Sequence, residues 1–487
     1  MIINEEQQEF FDPSTGEKRN KLIISYVNKD GDISFMQYIV PTQQMFNWKF
    51  TSRKYADPNW RSFNNKFIKA VPCKKLDRYR INEILCSFGE KVDPVFEMNI
   101  PKTWFCDIET DVTDDGFPDA ETAAHFINTI AITKYPNTIV FGRKPLSQEK
   151  IDYIQNKYKT YSELTKDYKF EYKEYSNEYQ MLIAFINFIE KIPALTGWNF
   201  LGYDWNYIYN RCKNLGISME TLSPTNKTNL FKTTLKNGSK IKSYLPMHKI
   251  IYDYLLVYKQ WDKSPTPKEN FTLDYTSEQI LGIKKVQHNM GFQEFYRDHY
   301  EDYVFYNSID TILVEQIDKK LKTANIWYMM SSILRIELNI AFSTIVPVET
   351  VMSTFIYPEH KVLVKDNNGE INKDGYEGAF VWPTIPGVYK NIGGLDFASL
   401  YPSTMRQFQI SSENFLFKDK TGVYKPKEDE IKCKSGAVFK KDKDAILPAI
   451  LTYYYGKRKY AKRQKKQANS DYEEIKHKYE ERLKNSK

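Results

Sequence analysis

The segment Trp104-Phe105-Cys106-Asp107-Ile108-Glu109-Thr110 constrains this chain more than any other. A short apolar run rich in aromatic and branched residues reads as a buried strand, here over Thr103–Ile108. In a strand, residues i and i+2 point to the same face. Asp107 and Glu109 therefore project together, with Ile108 packed behind them. Paired carboxylates supply the oxygen ligands that a hard cation such as Mg²⁺ takes. Taken alone, such a pair reads more readily as an ordinary strand edge with two solvated acids.

The surroundings place this strand in a layered domain. From Pro101 onward, strands such as Thr138–Phe141 alternate with helices such as Glu178–Ile192, the pattern of an α/β layer architecture. Between them, Thr233–Leu245 carries Asn237-Gly238, a strong hairpin turn signal. Residues 1 to about 100 read as mixed α/β, with strands over Lys21–Val27 and Ile33–Ile39. Ala324–Pro347 is helical and apolar and looks like a connecting segment. Strands are expected again at Gly378–Trp382 and Gly393–Phe397, and from about Ile450 the pattern is helical and basic. A chain of 487 residues is expected to hold several domains. No internal repeat or low-complexity linker interrupts it.

Composition narrows the function classes. There is no run of ~18 apolar residues, so no membrane span is expected. The polar, acidic start, Met1 to Phe10, does not read as a signal peptide. Five scattered cysteines (Cys73, Cys86, Cys106, Cys212, Cys433) lack CxxC spacing, which argues for a reducing compartment and against zinc or iron–sulfur sites. The histidines show no metal-ligand spacing either. Net charge is +8, and Gly456 to Lys487 holds twelve Lys/Arg against five Asp/Glu. A local basic stripe suggests phosphate contact, although a solvated face has the same composition.

Two further acids join the first pair. Asp204 follows Gly197-Trp198-Asn199-Phe200-Leu201-Gly202-Tyr203, a glycine-bracketed loop, and as an isolated residue it reads as the N-cap of a helix over Trp205–Cys212. Asp310 lies four residues after Tyr306 in Tyr306-Asn307-Ser308-Ile309-Asp310, so the two share a helix face. D-x-E, then N-x-x-x-[FY]-D, then Y-x-x-x-D, in that order, resembles the three exonuclease motifs of family B DNA polymerases. The resemblance implies an RNase H-like 3′→5′ exonuclease domain in which Asp107, Glu109, Asp204 and Asp310 hold two Mg²⁺ (or Mn²⁺) ions and Tyr306 orients the attacking water. Tyr203 stands where Phe is commoner.

Downstream, Asp396-Phe397-Ala398-Ser399-Leu400-Tyr401-Pro402-Ser403 matches the D-x-x-S-L-Y-P-S of polymerase motif A. By resemblance, Asp396 and the Phe397 carbonyl hold the catalytic metals, backbone groups from Phe397 through Ser399 to Leu400 meet the triphosphate, and Tyr401 stacks under the sugar. Tyr376-Glu377-Gly378-Ala379 resembles the Y-x-G-G/A element that contacts template. Tyr455-Gly456-Lys457-Arg458-Lys459-Tyr460-Ala461-Lys462 resembles the first fingers helix, which places Arg458 and Lys462 on the incoming dNTP; a planar guanidinium suits phosphate. Within the family the likeness is to the replicative enzymes of T-even-type bacteriophages. In those enzymes a hairpin at 233–245 helps part primer from template; a plain surface hairpin fits this sequence as well.

The second palm aspartate, in Y-x-D-T-D-S, does not occur in these residues. Lys465 to Glu473 reads K-x-x-x-N-S-x-Y-E, but Glu473 stands where motif B needs Gly, and the separation from Asp396 is too short for a full fingers hairpin. The expected organisation is multidomain α/β and α+β. It comprises an N-terminal domain (1–100), the exonuclease domain (101–322), a return segment (323–366), a partial palm (367–444) and the first part of the fingers (445–487). The expected function is proofreading plus half of a polymerase site, completed by a second chain that carries motif B, D-T-D-S and the thumb. The partners are primer-template and single-stranded DNA in the host cytoplasm, with no membrane. A truncated polymerase acting only as an exonuclease, or a DNA-binding subunit without chemistry, are the alternatives.

Overall fold

A computed structural model describes residues 1–487 apart from 113–115, 117, 235–237, 239, 262–267, 344, 366–380, 442–444 and 486–487. It divides into two compact units. The first joins Met1–Thr42 to Gly89–Pro347, and the second joins Gln43–Phe88 to Val348–Lys487. This division cuts through the stretch 1–100 that the sequence suggests as one domain.

The first unit is built on a mixed six-stranded sheet. Its order is Lys169–Glu174, Asn137–Gly142, Ile127–Lys134, Thr103–Thr110, Ala194–Gly197, Ile250–Asp253. The three strands from Thr103 to Gly142 form an antiparallel meander, while Ala194–Gly197 runs parallel to both its neighbours. The expected strands at Thr103–Ile108 and Thr138–Phe141 are present and slightly longer, and so are Lys21–Val27 and Ile33–Ile39, within a three-stranded antiparallel sheet, Ile2–Asp12, Glu17–Val27, Ile33–Val40.

Each face of the central sheet has its own core. Alternation along Thr103–Thr110 sends Phe105 to one core and Cys106 and Ile108 to the other. The Cys106 face is closed by helices Glu178–Glu190 and Asp204–Asn214 through Met181, Phe185, Trp205 and Ile208. The Phe105 face is closed by helix Tyr300–Leu321 through Tyr303, Ile309 and Leu313. That helix is buried along most of its length rather than on one stripe. A helix that lies flat on a sheet under further elements must be apolar nearly all round. Any polar group it sends inward then needs a partner.

The hairpin signalled by Asn237-Gly238 forms from Thr228–Thr234 and Lys240–Pro246, with Thr234 opposite Lys240. Gly238 takes the left-handed backbone, φ 84°, that such a turn requires; Asn237 lies outside the described residues.

The second unit contains the small sheets Phe46–Phe50/Ile68–Pro72 and Phe415–Lys418/Ala437–Lys440/Glu430–Lys432. It also holds helix Leu400–Gln407 and a 40-residue helix, Ile446–Asn485. The basic helical end expected from about Ile450 is this helix, and the motif-B-like string Lys465 to Glu473 lies inside it. The strand expected at Gly393–Phe397 does not form: these residues pair with no strand and are exposed, Leu395 at 104% and Phe397 at 76%. Apolar sequence alone does not make a strand. The backbone needs a neighbour to complete its ladder, and the ladders among the described residues are formed elsewhere. Tyr376-Glu377-Gly378-Ala379, and most of the expected strand Gly378–Trp382, fall outside the described residues; Val381 and Trp382 are not in a strand.

Candidate active site

The acids predicted to act together meet at the end of the central sheet in the first unit. Asp107 and Glu109 leave the same face of Thr103–Thr110. Asp310 comes down onto that face from helix Tyr300–Leu321, one turn after Tyr306. Single carboxylate oxygens of Asp107, Glu109 and Asp310 all lie within 4.8 Å of one another. Glu109 and Asp310 are buried, and Asp107 is half-buried.

Asp204 stands beside this trio rather than inside it. It is the first residue of helix Asp204–Asn214, not its cap; the capping position is Tyr203, whose side chain makes no capping hydrogen bond. The Asp204 carboxylate instead accepts from the backbone N–H of Ile108 at 3.1 Å, between the two acids of the strand. The approach depends on Gly197. A Cβ there would stand 2.2 Å from the Cys106 carbonyl oxygen, so only glycine lets the loop leave the sheet so close to its neighbour.

Four acids so close repel one another and resist ionisation. Burial, then Asp204, Asp310 and Glu109, push the Asp107 carboxyl well above the usual carboxylate range. Glu109 is pushed up to about 8, by burial against the pull of Lys285 and with the push of Asp310 and Asp204. Asp204 rises to about 7, by burial against the hydrogen bonds from backbone amides. Asp310 is also raised by burial, against Lys285.

Lys285 is the counter-charge. Its Nζ lies 2.5 Å from Asp310 Oδ2 and 4.3 Å from the centre of the Tyr306 ring. Burial would lower its pKa, but Asp310, Tyr306, Asp107 and Glu109 together raise it. The other oxygen, Asp310 Oδ1, is buried without a hydrogen-bond partner. An all-oxygen donor set with one orphaned carboxylate oxygen fits a hard divalent cation. Tyr306 is held by His288, Phe292 and Phe295, whose rings meet it at 5.5, 6.0 and 6.0 Å.

The residues of the other motif lie in the second unit. Ser399 has the left-handed φ of 54° and precedes helix Leu400–Gln407. Arg458 Nη1 donates to Ser399 Oγ at 2.8 Å, and Arg406 covers the Tyr455 ring at 4.9 Å. Arg458 of the long helix is thus brought to the motif A turn. Asp396, Phe397 and Tyr401 are exposed, and Lys462 lies on the exposed face of the same helix as Arg458.

Comparison with known proteins finds one family. The profile described as DNA polymerase family B, exonuclease domain, matches residues 45–275, and the profile described as DNA polymerase family B matches residues 337–484. The chain belongs to DNA polymerase family B. It is 30% identical over 305 residues to the DNA-directed DNA polymerase of Escherichia phage RB69, which covers 60% of this chain and 33% of that protein. It is 27% identical over 450 residues to the DNA-directed DNA polymerase of Enterobacteria phage T4, covering 84% and 47%. The DNA polymerase delta catalytic subunit of Caenorhabditis elegans is 27% identical over 325 residues, covering 61% and 29%. This family B chain therefore spans between a third and about half of the length of the two phage relatives. Among its described residues no helix is long and apolar enough to cross a membrane.

Two residues of this carboxylate cluster escaped the motifs. Lys285 sits in a loop with no periodic pattern, and only the need of four acids for a counter-charge points to it. Asn307 was in plain sight inside Tyr306-Asn307-Ser308-Ile309-Asp310, a polar residue in a helix otherwise built for burial, and it is fully buried.

Proposed function

We propose that this chain removes nucleotides from the 3′ ends of DNA by metal-dependent phosphodiester hydrolysis, in an RNase H-like domain over 101–322. The observation that carries this reading is the convergence of Asp107, Glu109 and Asp310 within 4.8 Å, with Asp310 Oδ1 buried and without a partner. Asp107, Glu109, Asp204 and Asp310 would hold Mg²⁺ or Mn²⁺, two per site. When bound, such ions stabilise the attacking and leaving oxygens of a phosphodiester. The chain's own groups do the rest. The carboxylates fix the cations, Tyr306 orients the water from its aromatic socket, and Lys285 offsets the negative charge of the cluster.

A 5′-labelled single-stranded oligonucleotide should shorten stepwise with Mg²⁺ or Mn²⁺ and stay intact with chelator. Asp107→Ala or Asp310→Ala should lower the rate by more than the ~100-fold typical of residues outside a metal's direct ligands. Unchanged cleavage by the double variant would sink the proposal. Tight binding without cleavage by the unmodified chain would favour a DNA-binding subunit instead.

The Arg458–Ser399 contact favours a second role. Asp396 with the Phe397 carbonyl, Ser399, Leu400, Tyr401, Arg458 and Lys462 would form one half of a polymerase site for metal, dNTP and primer-template. One palm aspartate does not position two cations, so these 487 residues alone should not extend a primer. Extension should begin when a second polypeptide supplies motif B, D-T-D-S and the thumb. Robust extension without one refutes this reading.

A further inference from the structure

Asn307 follows Tyr306 on the helix and lies three residues before Asp310, on an overlapping face. It faces the sheet and is fully buried, as is Thr129 on the neighbouring strand Ile127–Lys134. Asn307 Nδ2 donates to Asp107 Oδ2 at 2.7 Å, and Thr129 Oγ1 donates to Asn307 Oδ1 at 3.0 Å. Thr129 itself pairs across the ladder with Glu109.

The chemistry of this chain of contacts is directional. A carboxamide has one donating and one accepting end. Turned the other way, Asn307 would set its carbonyl oxygen against the Asp107 carboxylate, acceptor against acceptor. The orientation seen is the one the carboxylate enforces, and the Thr129 hydroxyl completes it from behind. Asp107 projects from a strand and has two side-chain torsions; one anchored oxygen removes most of that freedom. An oxygen accepts along more than one direction, so the anchored Oδ2 keeps capacity for a cation and Oδ1 is untouched.

We infer that Asn307 is a positioning residue: a Thr129–Asn307–Asp107 hydrogen-bond chain holds the Asp107 carboxylate in the orientation that binds divalent metal. The inference rests on the exonuclease reading above. It adds that the helix carrying Asp310 also aims the first acid of the strand, so two metal-binding groups are set by one element. Groups that orient metal ligands typically matter by ~10–100-fold in metal affinity.

The test is Mn²⁺ binding by the full chain, read as loss of the free-ion electron paramagnetic resonance signal, with no DNA present. N307L removes both hydrogen bonds while keeping the branched outline of the side chain, and should weaken binding by ~10-fold or more. T129V removes only the hydroxyl and should weaken it less, and T129S should restore what T129V loses. Thermal midpoints without metal identify any variant that fails to fold; if N307L does, the T129V and T129S pair decides. Wild-type affinity in folded N307L and T129V overturns the inference. D107N separates the two claims. If wild type binds Mn²⁺ no better than D107N, the metal site itself fails; if D107N loses binding but N307L and T129V do not, only the role of Asn307 fails.

Discussion

Lys285 and Asp310 form a buried ion pair inside a cluster with three other acids. Removing one partner of such a pair leaves an uncompensated charge, which costs about 3–5 kcal/mol in a fully buried site. Lys285 retains some exposure, and the acids relieve part of the strain by protonation, so Lys285→Met should cost on the order of 2–3 kcal/mol in the metal-free protein. Mg²⁺ should recover much of that loss, because the cation takes over the neutralisation. Thermal melts of both proteins with and without Mg²⁺ check this; an equal metal-free midpoint would show that Lys285 is not the counter-charge. At this scale the sequence was partly legible. Asp107, Glu109 and Asp310 were legible through the order of their motifs, which carries the family resemblance; periodicity itself only pairs Asp107 with Glu109 on a strand face and Tyr306 with Asp310 on a helix face. Lys285 did not, because a loop has no period to read. Asp204 reads in isolation as a helix N-cap; in the structure it is the first residue of its helix, and its carboxylate accepts from the backbone N–H of Ile108.

Two elements carry consequences of their own. The strand Ala194–Gly197 approaches Thr103–Thr110 so closely that Gly197 has no room for a side chain. Gly197→Ala should destabilise the chain by about 1–3 kcal/mol, the usual range for overpacking, and should cut cleavage of single-stranded DNA by shifting Asp204. Urea denaturation and oligonucleotide assays read the two effects; a neutral result in both would show that the strands part at no cost. The strand Ile2–Asp12 meets the segment Leu338–Phe342 through another pair of acids. The Glu5 backbone N–H donates to Glu337 Oε1 at 2.5 Å. Burial, then the Glu337 charge, pushes Glu5 up to about 8, and burial pushes Glu337 up to about 7. A carboxyl with a raised folded pKa keeps protons that the unfolded chain has released. Stability therefore falls as pH rises from about 4.5 toward 8. Glu337→Gln should flatten that slope and raise the melting temperature most at pH above 8; the same midpoint shift at pH 4 and pH 9 would contradict it. The strands of the first unit were readable because they are buried and periodic. Gly393–Phe397, expected as a strand, carries two glycines among its five residues and forms none; a strand is a property of two segments, and sequence shows only one at a time.

Across the whole molecule, order is unevenly supported. Helix Tyr300–Leu321 is packed along its length, whereas among the described residues helix Ile446–Asn485 makes its contacts with the rest of the chain in its first third, as far as Arg458. There, Ile446 and Ile450 are buried and the Ile446 N–H donates to Glu413. From Gly456 to Arg482 every residue is exposed. Ion pairs such as Lys478–Glu474 are exposed on both sides and lend this stretch little support. Amide hydrogen exchange should therefore be fast beyond Tyr460 and slow in Tyr300–Leu321. Equal protection in the two helices would contradict this. Added DNA should slow exchange around Arg458 and Lys462 if they bind phosphate.

The stretch from Val381 to Tyr401 shows the same imbalance in its side chains. Val388 is 96% exposed, and Trp382, Ile385, Ile392 and Leu395 stand open beside it. Apolar surface of that extent is adhesive. Such a surface should make the isolated chain prone to self-association. Yield of soluble protein on expression alone would then depend on temperature and on chaperone supply, and Val388→Ser with Ile392→Ser would relieve that dependence without touching the carboxylates of the first unit.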